Sequence, residues 1–238
     1  MRDTGDTDAV NNIQLILFDI DGTLLWPRGA GRASSREAML EVFGTCGNLD
    51  SHDFGGKTDW FTLTELLQDE GFGEADIERL IPAYTQAMER HMGRLIGDFP
   101  VEACPGAHDL VSELRRRGLL LGLVTGNVQT TAPIKLRAAG FDPAWFIAGA
   151  YGNESTDRNN LPALALERAI RHANRPILPE QVIVIGDTAA DIACARALGA
   201  TAVAVLTGYC PPEELVAARP DYLLKDLTAF LDEVLDRS

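Results

Sequence analysis

Two apolar runs, each closed by a carboxylate, constrain this chain more than any other feature. Leu15-Ile16-Leu17-Phe18 runs into Asp19-Ile20-Asp21-Gly22-Thr23, and Val182-Ile183-Val184-Ile185 runs into Gly186-Asp187-Thr188-Ala189-Ala190-Asp191. Runs of this length, rich in branched residues and ended by Gly or Asp, read as strands buried on both faces of a parallel sheet. Open α/β sheets bind ligands at the carboxyl ends of their strands, which is where both motifs would place their acids. Converging carboxylates repel one another unless a hard cation such as Mg2+ lies between them. The expectation is a metal site with a nucleophile in it.

The rest of the chain supplies the partners of those strands. Strand-like segments at 14–19, 119–125, 146–151, 182–186 and 201–206 alternate with helical patterns at 107–117, 131–139, 161–173 and 189–198. That alternation predicts an α/β fold, a parallel sheet with helices on both faces. Trp26-Pro27-Arg28-Gly29-Ala30-Gly31 reads as a hinge, and Pro105-Gly106 marks the return from an insertion. Between them no strand alternation appears. Helices are expected from Ser34, with Glu37 completing a capping box, over 59–70, and over 76–96. In the last of these Ile77, Leu80, Ile81, Tyr84, Met88 and Met92 recur at helical spacing. The chain therefore divides into a core of residues 1–27 and 104–238 and an all-helical insertion of residues 28–103.

Charge narrows the partners. A formal charge of −14 argues against binding to nucleic acid or to an anionic membrane surface, both of which need basic surface. Any anionic substrate must be captured by local charge: a metal, a few Arg or Lys side chains, and backbone N–H groups. No long uninterrupted apolar span is present. The polar, acidic first dozen residues lack the basic start and apolar run of a secretory signal, so a cytoplasmic location is expected. Cys46, Cys104, Cys194 and Cys210 form no C-x-x-C pair and read as reduced thiols.

With a third segment, Leu123-Val124-Thr125-Gly126-Asn127, the two motifs resemble the haloacid dehalogenase superfamily, whose D-x-D-G-T and G-D-x-x-x-D signatures are complete here. A helical insertion after the first motif is typical of its phosphoglycolate phosphatase and β-phosphoglucomutase relatives. The resemblance implies a Rossmann-like core with a helical cap, and a Mg2+-dependent phosphatase acting on a small phosphorylated metabolite. Asp19 would be the nucleophile, forming an aspartyl-phosphate, and Asp21 the general acid and base. Thr125, with the N–H groups of Gly126 and Asn127, would accept the phosphoryl oxygens. Asp19, Asp187 and the backbone carbonyl of Asp21 would bind Mg2+. Asp191 reads either as part of the metal's ligand shell or as an acid at a helix start; Gly22 and Thr23 read as structural.

One departure from the family pattern matters. The family's Lys before the fourth motif is missing, and the stretch 154–161 offers only Arg158 as a cation. Lys135 is the alternative, but its helix suggests a solvated side chain. Lys57, in Gly55-Gly56-Lys57-Thr58-Asp59, either contacts substrate or merely precedes a helix capped by Thr58 or Asp59. Arg28 and Arg32, beside the hinge glycines, would meet substrate or face water. Two other functions share these residues: a phosphosugar mutase of the β-phosphoglucomutase type, and a catalytically silent binding protein.

Overall fold

The computed structural model describes residues 12–236; the acidic leading segment up to residue 11 lies outside the described residues. A six-stranded sheet runs in the order β5-β4-β1-β6-β7-β8 and is parallel at every pairing. Its strands are β1 (Leu15–Phe18), β4 (Leu120–Thr125), β5 (Ala148–Tyr151), β6 (Val182–Gly186), β7 (Thr201–Val205) and β8 (Tyr222–Leu224). Side chains alternate between faces, and both faces are dry. Ile16, Phe18, Leu121, Leu123, Ile183 and Ile185 pack with helices α4 (Ala107–Arg116) and α5 (Ala132–Ala138). Leu15, Leu17, Val124, Val182 and Val184 pack with α6 (Leu161–Ala173) and α7 (Ala189–Leu198) on the other side. Burial on both faces is why these strands read as unbroken apolar runs.

Register decides where the site falls. Phe18 pairs with Leu123 on one side and with Ile185 on the other. The Asp19 N–H continues the ladder, donating to the Ile185 carbonyl at 2.9 Å. Three strand ends, at Asp19, Thr125 and Gly186, therefore open at one edge, where the strand order turns from β4 to β6 about β1.

Residues 30–98 build a third apolar cluster above that edge. Helices α1 (Ala30–Phe43), α2 (Asp59–Leu67) and α3 (Glu74–Leu95) pack through Met39, Phe43, Leu63, Leu67, Ile81, Tyr84 and Met88. Val128, from the loop after β4, inserts into the same cluster. The two chain crossings pair as a short antiparallel ribbon, β2 (Leu25–Trp26) with β3 (Glu102–Ala103). Two residues per strand are too few to show a period, so this ribbon was not readable in the sequence.

The expected capping box at Ser34 and Glu37 does not form. Helix α1 starts at Ala30, after Gly29 in a left-handed conformation. Ser34 is instead buried inside the helix, its Oγ 3.6 Å from Met92 Sδ, and Ser35 Oγ lies 3.0 Å from the Tyr84 hydroxyl. Both hydroxyls are taken up by packing of α1 against α3. The helix expected over 76–96 starts at Glu74, which leaves Asp76 to accept from the Gly73 N–H.

Candidate active site

The first motif leaves β1 and turns at once. Gly22 has φ +89, and a Cβ there would stand 2.5 Å from Asp187 Oδ2, so only glycine lets the turn pass over that carboxylate. Thr23 is fully buried and donates its hydroxyl to Asp187 Oδ1 at 3.1 Å. It thus anchors an acid of the site as well as shaping the turn. On the first turn of α7, Asp191 Oδ2 accepts from both the N–H and the hydroxyl of Thr188. Its Oδ1 accepts from Arg158 Nη2 at 2.5 Å, and the same nitrogen donates to Asp19 Oδ1 at 2.9 Å.

Asp19, Asp187 and Asp191 are all buried, with one oxygen of each within 4.8 Å of the others. Burial, only partly opposed by Arg158, pushes Asp19 up to about 7, and the charges of Asp191 and Asp21 add to the rise. Asp187 is held well above the ordinary carboxylate range by burial and by Asp19 and Asp191. One shared guanidinium does not neutralise three carboxylates. The donor set is all carboxylate oxygen, which suits a hard divalent cation such as Mg2+.

A second group lies beside the first. Asp21 Oδ2 accepts from Lys135 Nζ at 2.5 Å and from Asn127 Nδ2 at 3.0 Å. Lys135 Nζ also reaches Asn127 Oδ1, while Asn127 Nδ2 donates to Thr125 Oγ1 at 2.7 Å. From the helical side, the N-terminus of α2 rests on core carbonyls. The Asp59 N–H donates to Gly126 and the Trp60 N–H to Gly152, at 2.8 and 3.0 Å. The Asp59 carboxylate accepts from the Val128 N–H at 2.9 Å. Burial pushes Asp59 up to about 6 against the pull of Lys135. Core and helical layer together enclose a cleft of about 740 Å³ lined by Asp19, Asp21, Lys57, Thr125, Arg158 and Asp187, among others.

A family model described as haloacid dehalogenase-like hydrolase matches residues 13–199, most of the chain. The chain belongs to this family. It is accordingly a hydrolase by family. A phosphoglycolate phosphatase of Synechococcus elongatus is 29% identical over 224 residues, covering 93% of this chain and 97% of that protein. Among solved structures, a hydrolase from Pseudomonas syringae superposes with a TM-score of 0.67 at 26% identity, covering 95% of this chain and 99% of that one. CbbY from Rhodobacter sphaeroides, in complex with phosphate, shares the fold with a TM-score of 0.68 at 20% identity, covering 92% and 96%.

In this hydrolase the residues singled out by sequence converge on one cleft, with three qualifications. Lys135 is not solvated: it is 2% exposed. It shares a buried face with Ala132 and Leu136, the i, i+3, i+4 stripe of α5; those two pack into the core, while Lys135 lines the cleft. A Lys standing on an otherwise apolar stripe was the available signal. Lys57 is committed in part, its Nζ donating to Glu65 at 2.7 Å. Its carbonyl lies where a Cβ on Gly126 would stand, 2.0 Å away, so Gly126 is a glycine because the cap backbone comes that close. Arg28 is engaged outside the cleft, whereas Arg32 lines it with its guanidinium already committed. Arg28 meets Glu102 and stacks on Trp26, whereas Arg32 donates to the carbonyls of Leu49 and His52 and stacks on Phe54.

Asp59 lines the cleft as well, a place the sequence did not assign to it. Of the two caps the sequence offers, Thr58 and Asp59, it is Thr58 that caps, accepting from the Phe61 N–H at 3.1 Å. All four cysteines are free thiols. No helix among the described residues is long and apolar enough to cross a membrane.

Proposed function

We propose that this hydrolase is a Mg2+-dependent phosphatase that cleaves a small organic phosphomonoester through an aspartyl-phosphate on Asp19. The observation that carries the reading is the arrangement of Asp19. It is a buried carboxylate at a strand end, oriented through one oxygen by Arg158 and flanked two residues on by a second carboxylate with its own cation. The relatives named phosphoglycolate phosphatase make phosphoglycolate the first ester to try.

Asp19 and Asp187, with the Asp21 carbonyl by family resemblance, would hold Mg2+. Asp191 has both oxygens accepting from Arg158 and Thr188. We assign it to the site's ligand shell through its charge and through its hold on Arg158. When bound, the ion screens the charge of the nucleophile and of the phosphate oxygens. Asp19 attacks phosphorus as the bond to the leaving oxygen breaks, and Asp21 gives that oxygen a proton. Asp21 then accepts a proton from the water that releases phosphate. Thr125, Gly126 and Asn127 line the position of the transferring group, and Arg158 stands where the family has Lys. Residues 28–103 act as the cap that excludes water, with Lys57 at the rim. The acidic composition fits a small-molecule substrate and no nucleic-acid or membrane partner, and a cytoplasmic location is part of this reading.

Phosphate release should vanish with EDTA, return with Mg2+, and fall by several orders of magnitude in Asp19→Asn with the fold intact. An active Asp19→Asn variant, or turnover unchanged in EDTA, overturns the mechanism. Isomerisation of a sugar phosphate without net phosphate release would move the enzyme to the mutase class.

A further inference from the structure

The two motif carboxylates do not share one cation. Asp19 is served by Arg158, from the loop before α6, and Asp21 by Lys135, from α5. The distribution of donors on Asp21 is uneven. Lys135 Nζ and Asn127 Nδ2 both converge on Oδ2, whereas Oδ1 is buried and has no partner. Lys135 and Asn127 are also bound to each other, which closes a three-membered ring of contacts around that single oxygen.

This asymmetry has a chemical meaning. A carboxyl oxygen that accepts from an ammonium and an amide N–H cannot also carry a proton toward them without facing two donors. A proton on Asp21 therefore resides on Oδ1. An orphaned buried oxygen is costly in a protein interior unless a ligand or water completes it. We propose that Lys135, braced by Asn127, is a positioning residue that clamps Oδ2 and thereby presents the Oδ1–H of Asp21 to the leaving-group oxygen. The inference rests on the phosphoester reading and adds to it a residue outside the D-x-D-G-T, Thr-Gly-Asn and G-D-x-x-x-D motifs. As the P–O bond breaks, its electron pair stays on the leaving oxygen, which takes the Oδ1 proton. Asp21 is left as a carboxylate with Oδ2 still held by Lys135.

A purely structural Lys135 would affect all substrates alike. A positioning Lys135 affects those that need a proton. The test measures kcat and KM with Mg2+ for an alkyl phosphate, glycerol phosphate, and for nitrophenyl phosphate, whose leaving group departs without protonation. Lys135→Met should lower kcat on glycerol phosphate by roughly 10²-fold, the scale of losing an aligned general acid. On nitrophenyl phosphate the loss should stay under about fivefold, with KM for either ester changed by less than about threefold. Lys135→Arg should recover part of the loss on the alkyl ester. In an Asp21→Asn background, Lys135→Met should add almost nothing, because its effect passes through Asp21.

Equal losses on both esters, or a full additional loss in the Asp21→Asn background, would overturn the inference while leaving the phosphatase reading in place. A wild-type protein that releases phosphate from neither ester would overturn that reading, and this one with it. Should Lys135→Met fail to fold, Lys135→Gln keeps a polar end without the charge, and the same two-ester comparison decides.

Discussion

At the scale of single residues, Arg158 and Lys135 divide the acids of the cleft between them, Arg158 meeting Asp19 and Asp191 and Lys135 meeting Asp21. Arg158 spans Asp19 and Asp191 through one nitrogen, and its Nε is buried without a partner. Its carbonyl also accepts from the Cys194 thiol, which ties the loop to α7. Removing the guanidinium leaves three buried carboxylates with no fixed cation. Arg158→Ala should lower kcat by roughly 10²-fold or more at saturating substrate, the scale of one preorganised electrostatic donor. Arg158→Lys should recover part of it, since the charge returns but the planar fork does not. A near-wild-type Arg158→Ala in steady-state assays would show that Lys135 alone supplies the needed charge.

At the scale of elements, α2 is the contact through which cap meets core. Its first backbone N–H groups have no partner within the helix and are satisfied by the carbonyls of Gly126 and Gly152. The hydroxyl of Thr58 reaches the Thr156 carbonyl at 3.2 Å. Closure thus depends on backbone approaching backbone, which a methyl group would block. Gly126→Ala puts a Cβ 2.0 Å from the Lys57 carbonyl oxygen, a separation no structure tolerates. The helix must lift away, and the Asp59 contact to Val128 lifts with it. Turnover of a phosphate ester should fall by about tenfold or more, because a small misplacement of positioning groups costs that much. The sheet, untouched by the change, should melt close to the wild-type temperature. Kinetics and a thermal melt run side by side check both halves of this expectation.

At the scale of the whole molecule, the carboxylate cluster makes stability depend on pH and metal together. In the metal-free protein Asp19 titrates at about 7, against 3.8 for an unperturbed aspartate, and Asp187 is shifted the same way. Between those values the folded chain binds more protons than the unfolded one. Metal-free stability should therefore fall as pH rises from about 4 through about 7 as Asp19 ionises, and the raised Asp187 acts in the same direction. A cation that binds the ionised carboxylates opposes this trend, and at a hundredfold excess over Kd it adds about 2.7 kcal/mol. The rise in Tm on adding Mg2+ should be larger above pH 7 than near pH 5. Thermal melts across that range, with EDTA and with Mg2+, measure it. A Tm indifferent to Mg2+ throughout would exclude a metal bound by this cluster.

Much of this protein was legible as a string of letters because its determinants are local. Strands buried on both faces show as apolar runs, and amphipathic helices such as α3 show as a period. The acids follow those runs directly, so their place at strand ends required no knowledge of the fold. What escaped was set by contacts between distant segments. Ser34 resembles a helix start until α3 packs against it, and Lys135 resembles a surface lysine until α5 turns it toward Asp21. Asp59 resembles a cap until α2 lands on the loop after β4. A side chain's type is written in the sequence. Which cation faces which carboxylate is decided only when the sheet, its helices and the cap close around one cleft.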